Sequence, residues 1–124
     1  MKHGRANPIK LVVIGAKRMS VSETAALEPL SSIVAIETLK KDDRNLAKLC
    51  RQHACTLANV AVIATHPRDL PYALEAELTV TLKGAGYENE AAADRVFAPR
   101  SAGGLVMAIE YIRSLIKATD GNAN

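Results

Sequence analysis

The chain has 124 residues, and 48% of them are apolar, which is enough to build the core of one domain. Its only aromatic residues are three Tyr and one Phe, which argues against an aromatic platform for single-stranded nucleic acid. No apolar run reaches membrane-spanning length, which argues against a transmembrane helix. The net charge of +3 arises at one end, because residues 1–18 hold five of the 16 basic residues and no acid, leaving 11 basic residues against 13 acids elsewhere.

The first predicted elements are an arm, a strand and a helix. Residues 1–8 are polar, lack the apolar segment of a signal peptide and predict a flexible arm. Residues 9–14 (IKLVVI) form an apolar, β-branched run that is typical of a buried parallel strand. Ser20 and Glu23 have the spacing of a capping box, so they predict a helix that starts there and closes at Pro29.

Four further short apolar runs predict the remaining strands. They cover residues 33–36 (IVAI), 60–64 (VAVIA), 78–82 (LTVTL) and 95–98 (RVFA). The alternation in LTVTL predicts a strand with one less buried face. Helical patterns stand between the runs, with Asp42 or Asp43 as the cap of the second helix and Pro71 in the first turn of the third. A fourth helical stretch is predicted over 88–93.

The last predicted helix follows Gly103 and Gly104 and carries one apolar stripe. The stripe consists of Leu105, Ala108, Ile109, Ile112, Leu115 and Ile116. We therefore predict one α/β domain over residues 9–117, followed by a polar tail over 118–124. Alternating strands and helices indicate a three-layer sandwich, in which helices cover both faces of a parallel sheet of four or five strands. Ligands of such sheets bind at the carboxyl ends of the strands.

Residues 42–116 resemble the carboxyl half of a phosphatase of the haloacid dehalogenase superfamily. The stretches that carry the resemblance are DDRNLAKLCRQHACTLANVAVIATHPRDLPYAL and AELTVTLKGAGYENEAAADRVFAPRSAGGLVMAIEYI. They are most similar to the capless phosphatases that act on octulosonate phosphate and to the carboxyl-terminal domains of acylneuraminate cytidylyltransferases. The resemblance implies a truncated, Rossmann-like fold with the flavodoxin-like strand order 2-1-3-4, and RVFA as a fifth strand at the edge.

The sequence departs from this family at the residues that perform its chemistry. The family's nucleophile stands in an Asp-x-Asp motif, which occurs nowhere here. Gly15 stands where the family has a phosphate-binding hydroxyl; on a second alignment, Gly15 and Lys17 replace the two aspartates. The family's lysine is replaced by Asn45, and in its Gly-Asp-Asp-x-x-Asp-x-Pro loop only Asp69 matches an acid.

These departures predict a degenerate, non-catalytic relative, because an aspartyl-phosphate mechanism needs a carboxylate nucleophile and a magnesium site built from several carboxylates. The leading hypothesis is thus a pseudoenzyme that serves as a binding or oligomerisation module. No cofactor is expected, and magnesium only if phosphatase activity remains. The alternative is a small phosphate-ligand-binding protein, or a weak phosphatase or hydrolase, with its site at the carboxyl edge of the sheet.

Several side chains at that edge are candidate ligand-binding residues. They are Gly15, Lys17, Arg18, Ser20, Thr65, His66, Asp69 and Arg100. A basic loop before a helix N-terminus favours an anion, although an ordinary solvated loop with a cap explains residues 17–20 as well. His66 and Asp69 suit either a shared divalent ion or a capping Asp beside an exposed His. Arg100 begins a segment that the family uses at its site edge and subunit contacts; a glycine-rich helix entry is the simpler interpretation.

Partners and location follow from the resemblance and from composition. Relatives in this branch assemble as oligomers, so the resemblance implies a homo-oligomer, with a phosphorylated small molecule as a further partner. We expect no membrane association, and nucleic acid is disfavoured because the basic residues are confined to one end. Cys50 and Cys55 are too few for a disulfide framework and predict free thiols in a cytoplasmic protein, with a bond between them left open by their spacing.

Overall fold

The computed structural model of the protein describes residues 7–16, 18–39 and 45–122, with the backbone alone over 119–122. Five strands in these ranges form one parallel sheet in the order β2-β1-β3-β4-β5. The strands are β1 (Leu11–Ile14), β2 (Ala35–Thr38), β3 (Val60–Ala64), β4 (Leu78–Leu82) and β5 (Arg95–Phe97). The predicted α/β class and strand order are therefore confirmed, with RVFA supplying the fifth strand at the edge.

Helices cover both faces of this sheet. They are α1 (Val21–Ser31), α2 (Leu46–Gln52), α3 (Leu70–Glu75), α4 (Tyr87–Ala92) and α5 (Gly104–Asn122). Side chains alternate along β1, so that Val12 and Ile14 join the core cluster of α1 and α5, while Leu11 and Val13 join that of α2 and α3. The sheet is thus the middle layer of three. No described helix is both long and apolar enough to cross a membrane.

Helix α1 begins as predicted but ends later. Ser20 Oγ accepts a hydrogen bond from the Glu23 N–H (3.1 Å), and Glu23 Oε1 accepts one from the Ser20 N–H (2.8 Å), which completes the capping box. The prediction that Pro29 closes the helix is wrong, because the helix runs on through Ser31. Burial of Leu30 holds this last turn in place, and the hydroxyl of Ser32 donates to the Pro29 carbonyl (2.7 Å).

The second strand starts two residues later than the IVAI run predicts. The N–H groups of Ile33 and Val34 both donate to the Leu30 carbonyl, so these residues end α1 and the strand begins at Ala35. The predicted caps of the next helix, Asp42 and Asp43, lie outside the described residues. Asn45 caps α2 instead, since its Oδ1 accepts from the Lys48 N–H (3.0 Å).

Strand β4 is buried on both faces, which corrects the prediction of a less buried face. Its two threonines are as buried as their apolar neighbours because both hydroxyls have acceptors. Thr79 Oγ1 donates to the Ala73 carbonyl (2.7 Å) and Thr81 Oγ1 donates to the Ala64 carbonyl (2.8 Å). Hydrogen bonding of this kind removes most of the cost of burying a polar group.

The apolar stripe of α5 packs into the core as predicted, but two boundaries differ. Leu105, Ala108, Ile109 and Ile112 are fully buried. The helix continues to Asn122, beyond the predicted start of the tail at 118. At the other end of the chain, residues 1–6 of the predicted arm lie outside the described residues, while the Pro8 carbonyl accepts a hydrogen bond from Asn59 Nδ2 (2.9 Å).

Both cysteines are free thiols, as predicted, and they meet at the end of α2. Ala54 has a left-handed backbone (φ 54°), which turns the chain so that the Cys55 N–H donates to the Cys50 carbonyl (2.9 Å). Burial, together with the neighbouring Cys55 thiol, raises the pKa of Cys50 to about 11. A thiol with so high a pKa is a poor nucleophile at neutral pH.

Candidate functional site

The loops that follow β1 and β3 are bonded to each other at the carboxyl edge of the sheet. The Gly15 N–H donates to the Ile63 carbonyl (2.9 Å), which extends the strand pairing by one step. The Thr65 hydroxyl donates to the Gly15 carbonyl from the opposite loop. Gly15 and Thr65 therefore lie together, and Gly15 is bonded both to β3 and to the loop that follows it.

Asp69 lies beneath these two residues and is only 4% exposed. Its Oδ2 accepts hydrogen bonds from the Thr65 N–H (3.0 Å) and the His66 N–H (3.1 Å). The local sequence explains this geometry, because His66, Pro67 and Asp69 form the start of a short 3-10 turn with a capping box. The carboxylate is packed so tightly that a Cβ on Gly15 would lie 2.0 Å from Oδ2. Asp69 thus caps the loop after β3 and packs against Gly15.

Burial raises the pKa of Asp69, and the two N–H donors from Thr65 and His66 oppose part of that rise. The raised pKa makes the folding stability depend on pH, because the native and unfolded states bind different numbers of protons. Between the ordinary Asp pKa and the raised folded value, the native state binds more protons than the unfolded state, so this group makes the protein less stable as pH rises through that interval.

Asp69→Asn should therefore gain stability relative to the wild type as pH rises above about 4, the ordinary pKa of an Asp. The amide keeps an acceptor for the two N–H groups and carries no charge to desolvate. Urea denaturation from about pH 3 to 8 measures the difference between the two proteins. Asp69→Ala is the matched control, expected to lose about 2 kcal/mol because two buried donors lose their acceptor. A constant difference between Asp69→Asn and wild type at all pH values would contradict the assignment.

A second group of predicted residues gathers around Glu23, which is 6% exposed. The Arg100 guanidinium donates to both carboxylate oxygens, with Nε to Oε2 at 2.9 Å and Nη2 to Oε1 at 2.8 Å. Arg100 also donates to the Arg18 carbonyl, which fixes the loop before α1. These bonds hold the pKa of Glu23 below its ordinary value. The positive charge of Arg100 is thus already matched by a carboxylate.

The contacts therefore divide the predicted site residues into two structural groups. Gly15, Thr65, His66 and Asp69 form one, in which the His66 ring Nδ1 accepts from the Arg68 N–H (3.2 Å). Arg18, Ser20 and Arg100 form the other around Glu23, and Lys17 lies outside the described residues. Sequence reasoning missed the pairing of Glu23 with Arg100, since no local pattern connects residues 77 positions apart.

A hollow of about 540 Å³ beside the β3 loop was also missed. Its lining includes Pro67, Gly86 and Tyr87, and Tyr87 is 85% exposed. Asn89 closes one side, and its Nδ2 donates to the carbonyls of His66 and Ala85 at 2.9 Å each. This amide bonds the loop after β3 to the loop after β4.

The magnesium ion that the resemblance implies does not fit the donors that the structure describes at this edge. Across residues 7–16, 18–39 and 45–122, no three His, Cys, Asp or Glu side chains converge in a metal-binding arrangement. Asp69 Oδ2 is engaged by two N–H groups, and the Thr65 hydroxyl is engaged by Gly15. Magnesium needs near-octahedral oxygen ligands, and one structurally engaged carboxylate does not supply them.

The sequence matches no protein-family model and no curated protein. Solved structures are nevertheless similar over nearly the whole chain. The cobalt-bound deoxy-D-mannose-octulosonate 8-phosphate phosphatase of Haemophilus influenzae superposes with a TM-score of 0.74 at 14% identity, over 94% of this chain and 92% of that one. The 3-deoxy-D-manno-octulosonate 8-phosphate phosphatase of Moraxella catarrhalis, in complex with magnesium, phosphate and KDO, gives 0.74 at 16% identity, over 99% and 98%.

A hypothetical protein from Xanthomonas campestris is similar to the same extent, with a TM-score of 0.75 at 15% identity, over 98% of this chain and 90% of that one. The TM-scores of 0.74 to 0.75 establish a shared fold, whereas identities of 14% to 16% leave the activity open. The parallel order β2-β1-β3-β4-β5 and the helices on both faces agree with this likeness. The chain therefore has the α/β fold of the haloacid dehalogenase superfamily hydrolases.

Proposed function

We propose that this protein is a non-catalytic domain with a phosphatase-like fold, which acts as a binding or oligomerisation module. The observation that carries the proposal is the burial and hydrogen bonding of the Asp69 carboxylate. It is the acid that matches the family's acidic loop, and it is buried and bonded to two backbone N–H groups. A nucleophile or a magnesium ligand must present a free carboxylate oxygen to the reaction. In contrast, Asp69 is buried and its Oδ2 caps the loop after β3.

The surroundings of Asp69 support the same proposal. Glu37, at the carboxyl end of β2, is bonded to His53 (2.7 Å between Oε2 and Nε2), and Glu23 is bonded to Arg100. Gly15 places no side chain at the end of β1, and Asp69 fills the space where one would lie. Each of these three carboxylates therefore makes a structural contact, whereas phosphoryl transfer would need a carboxylate that is free to react.

We expect the purified protein to release no phosphate above background from sugar phosphates or p-nitrophenyl phosphate with millimolar magnesium. The assay measures inorganic phosphate over several hours, with the M. catarrhalis phosphatase as the positive control. Asp69→Asn serves as the matched variant, provided that circular dichroism shows it to be folded at the assay pH. Magnesium-dependent turnover that Asp69→Asn abolishes would overturn the proposal.

A further inference from the structure

Cys50 and Cys55 occupy two positions at the end of α2 whose side chains face each other. The Cys55 N–H donates to the Cys50 carbonyl (2.9 Å), and the Ala54 N–H donates to the Arg51 carbonyl (3.4 Å). Ala54, just before Cys55, has a left-handed backbone (φ 54°). This combination is a Schellman motif, in which the side chains at the positions of Cys50 and Cys55 commonly pack together. The backbone itself therefore brings the two thiols into contact.

The spacing of the two residues suits a disulfide bond. The hydrogen bond between the Cys55 nitrogen and the Cys50 oxygen keeps the two Cα atoms within about 7 Å of each other. A disulfide can join residues at such separations when their side chains face each other. Both side chains also belong to one apolar cluster, with Cys50 inside it and Cys55 packed against it. The bond can therefore form with little movement of the backbone.

The two thiols differ in their access to solvent. Cys50 is 4% exposed, whereas Cys55 is half-buried and stands between the exposed residues Ala54 and Thr56. Burial, with the neighbouring Cys55 thiol, raises the pKa of Cys50 to about 11. A dissolved oxidant therefore reacts first with Cys55, and Cys50 reacts second, from inside the protein.

We propose that Cys50 and Cys55 form a reversible redox site, at which a low-molecular-weight disulfide such as oxidised glutathione converts the two thiols into an intramolecular disulfide. The Cys55 thiolate bonds to one sulfur of the small disulfide, whose own S–S bond breaks and releases one thiolate. Cys50 then gives its proton to water, its sulfur bonds to Cys55 Sγ, and the second small thiolate leaves. Two electrons thus pass from the cysteines to the small disulfide, and its two thiolates take up the two protons.

The contact between the thiols favours the second step. Part of the rise in the Cys50 pKa comes from the Cys55 thiol, and this contribution ends when Cys55 enters the mixed disulfide. The departing small thiol has an ordinary pKa of about 8.5, which makes it the better leaving group. Cys50 is also already beside the sulfur that it attacks, so the step is intramolecular.

This site is separate from the proposed function. The segment after Cys55 leads into the start of β3 at Val60, whereas Gly15 and Asp69 follow the carboxyl ends of β1 and β3. The disulfide would close a loop over residues 50–55 and so fix the end of α2 to that segment. Neither its formation nor its loss depends on whether the protein releases phosphate.

Thiol counting by mass spectrometry tests the proposal. The reduced protein is incubated with oxidised glutathione for several hours, quenched with acid, denatured and treated with N-ethylmaleimide. The wild type should end as a monomer with no labelled thiol and no bound glutathione, and dithiothreitol should restore both labels. Trypsin cleaves after Arg51, between the two cysteines, so the disulfide should join two peptides that separate on reduction.

Variants separate the two steps, after circular dichroism has shown that each is folded. Cys50→Ala should stop with one glutathione on Cys55, and Cys55→Ser should stay unmodified over the same time. The matched control combines Cys55→Ser with Ala54→Cys, which moves the thiol by one residue to an exposed position. This control should take up glutathione and form the internal bond at least about tenfold more slowly than the wild type. If Cys50→Ala does not fold, the two variants that keep Cys50 still decide the outcome.

Three results would overturn the proposal. The first is a wild type that keeps both thiols open to labelling after the incubation. The second is a wild type that stops at the glutathione adduct, because Cys50 then does not reach Cys55. The third is an internal bond that forms in the Ala54→Cys control as fast as in the wild type, because the contact in the Schellman motif then gives no advantage.

Discussion

Gly104→Ala is expected to destabilise the protein by about 3 kcal/mol or more, a large part of the stability of a small domain. A Cβ on Gly104 would lie 1.8 Å from the carbonyl oxygen of Ala98 and 3.0 Å from that of Pro99. Both are backbone atoms and cannot rotate away as a side chain does. The substitution must therefore displace the start of α5, which carries four fully buried residues of the core.

Thermal and urea denaturation, followed by circular dichroism, measure this effect, with Gly103→Ala as the matched control. Gly103 has a left-handed backbone (φ 84°) and no atom near its Cβ position, so alanine there costs only about 1–2 kcal/mol of backbone strain. If the two variants lose the same stability, the close approach of Gly104 to Ala98 is not what requires glycine at this position.

Arg100→Ala is expected to cost about 2 kcal/mol at neutral pH. Removing one partner of a buried pair costs roughly 3–5 kcal/mol, and the figure is reduced here because the Arg100 side chain is partly exposed. Glu23 would remain as a buried carboxylate without its arginine. Arg100→Lys should lose less, since it keeps the charge and loses the two-point hydrogen bonding. Arg51→Ala, on an exposed arginine of α2, should change stability by less than about 0.5 kcal/mol.

The loss of stability in Arg100→Ala is expected to be larger at neutral pH than in acid. Because the pKa of Glu23 is lowered in the folded state, the pair stabilises the protein above the ordinary Glu pKa, and the benefit is lost as pH falls through the lowered value. Wild type and Arg100→Ala should therefore converge in stability in acid and differ most at neutral pH. Urea denaturation over the same pH series checks this, and a difference that grows in acid would contradict the pairing.

Residue patterns predicted the sheet well because its strands are buried. The runs VAVIA and LTVTL match β3 and β4 residue for residue, whereas the strand order was implied by the resemblance and not by the residue pattern. Element ends were predicted less well, because tertiary contacts decide them: burial of Leu30 carries α1 past Pro29, and the turn after it delays β2. Buried acceptors for Thr79 and Thr81 are likewise invisible in the sequence.

The candidate site shows the same division. The sequence identifies Asp69 as the remaining acid of its loop, and the spacing of Ser20 and Glu23 predicts the capping box that the structure contains. A further contact of each acid comes from far along the chain: Gly15 packs against Asp69, and Arg100 donates to Glu23. Local patterns therefore identified candidate residues at the carboxyl edge and did not predict that Arg100 pairs with Glu23.

Asn89 has a consequence for the dynamics of this edge. Its amide bonds the loop after β3 to the loop after β4, and the Thr65 hydroxyl bonds the former to Gly15 in the loop after β1. Loops that open and close around substrates usually belong to the least stable part of a protein. Here, three neighbouring loops are connected by one chain of hydrogen bonds, so moving any of them breaks contacts in the others. The carboxyl edge of this sheet is built to open as one cooperative unit or to remain closed.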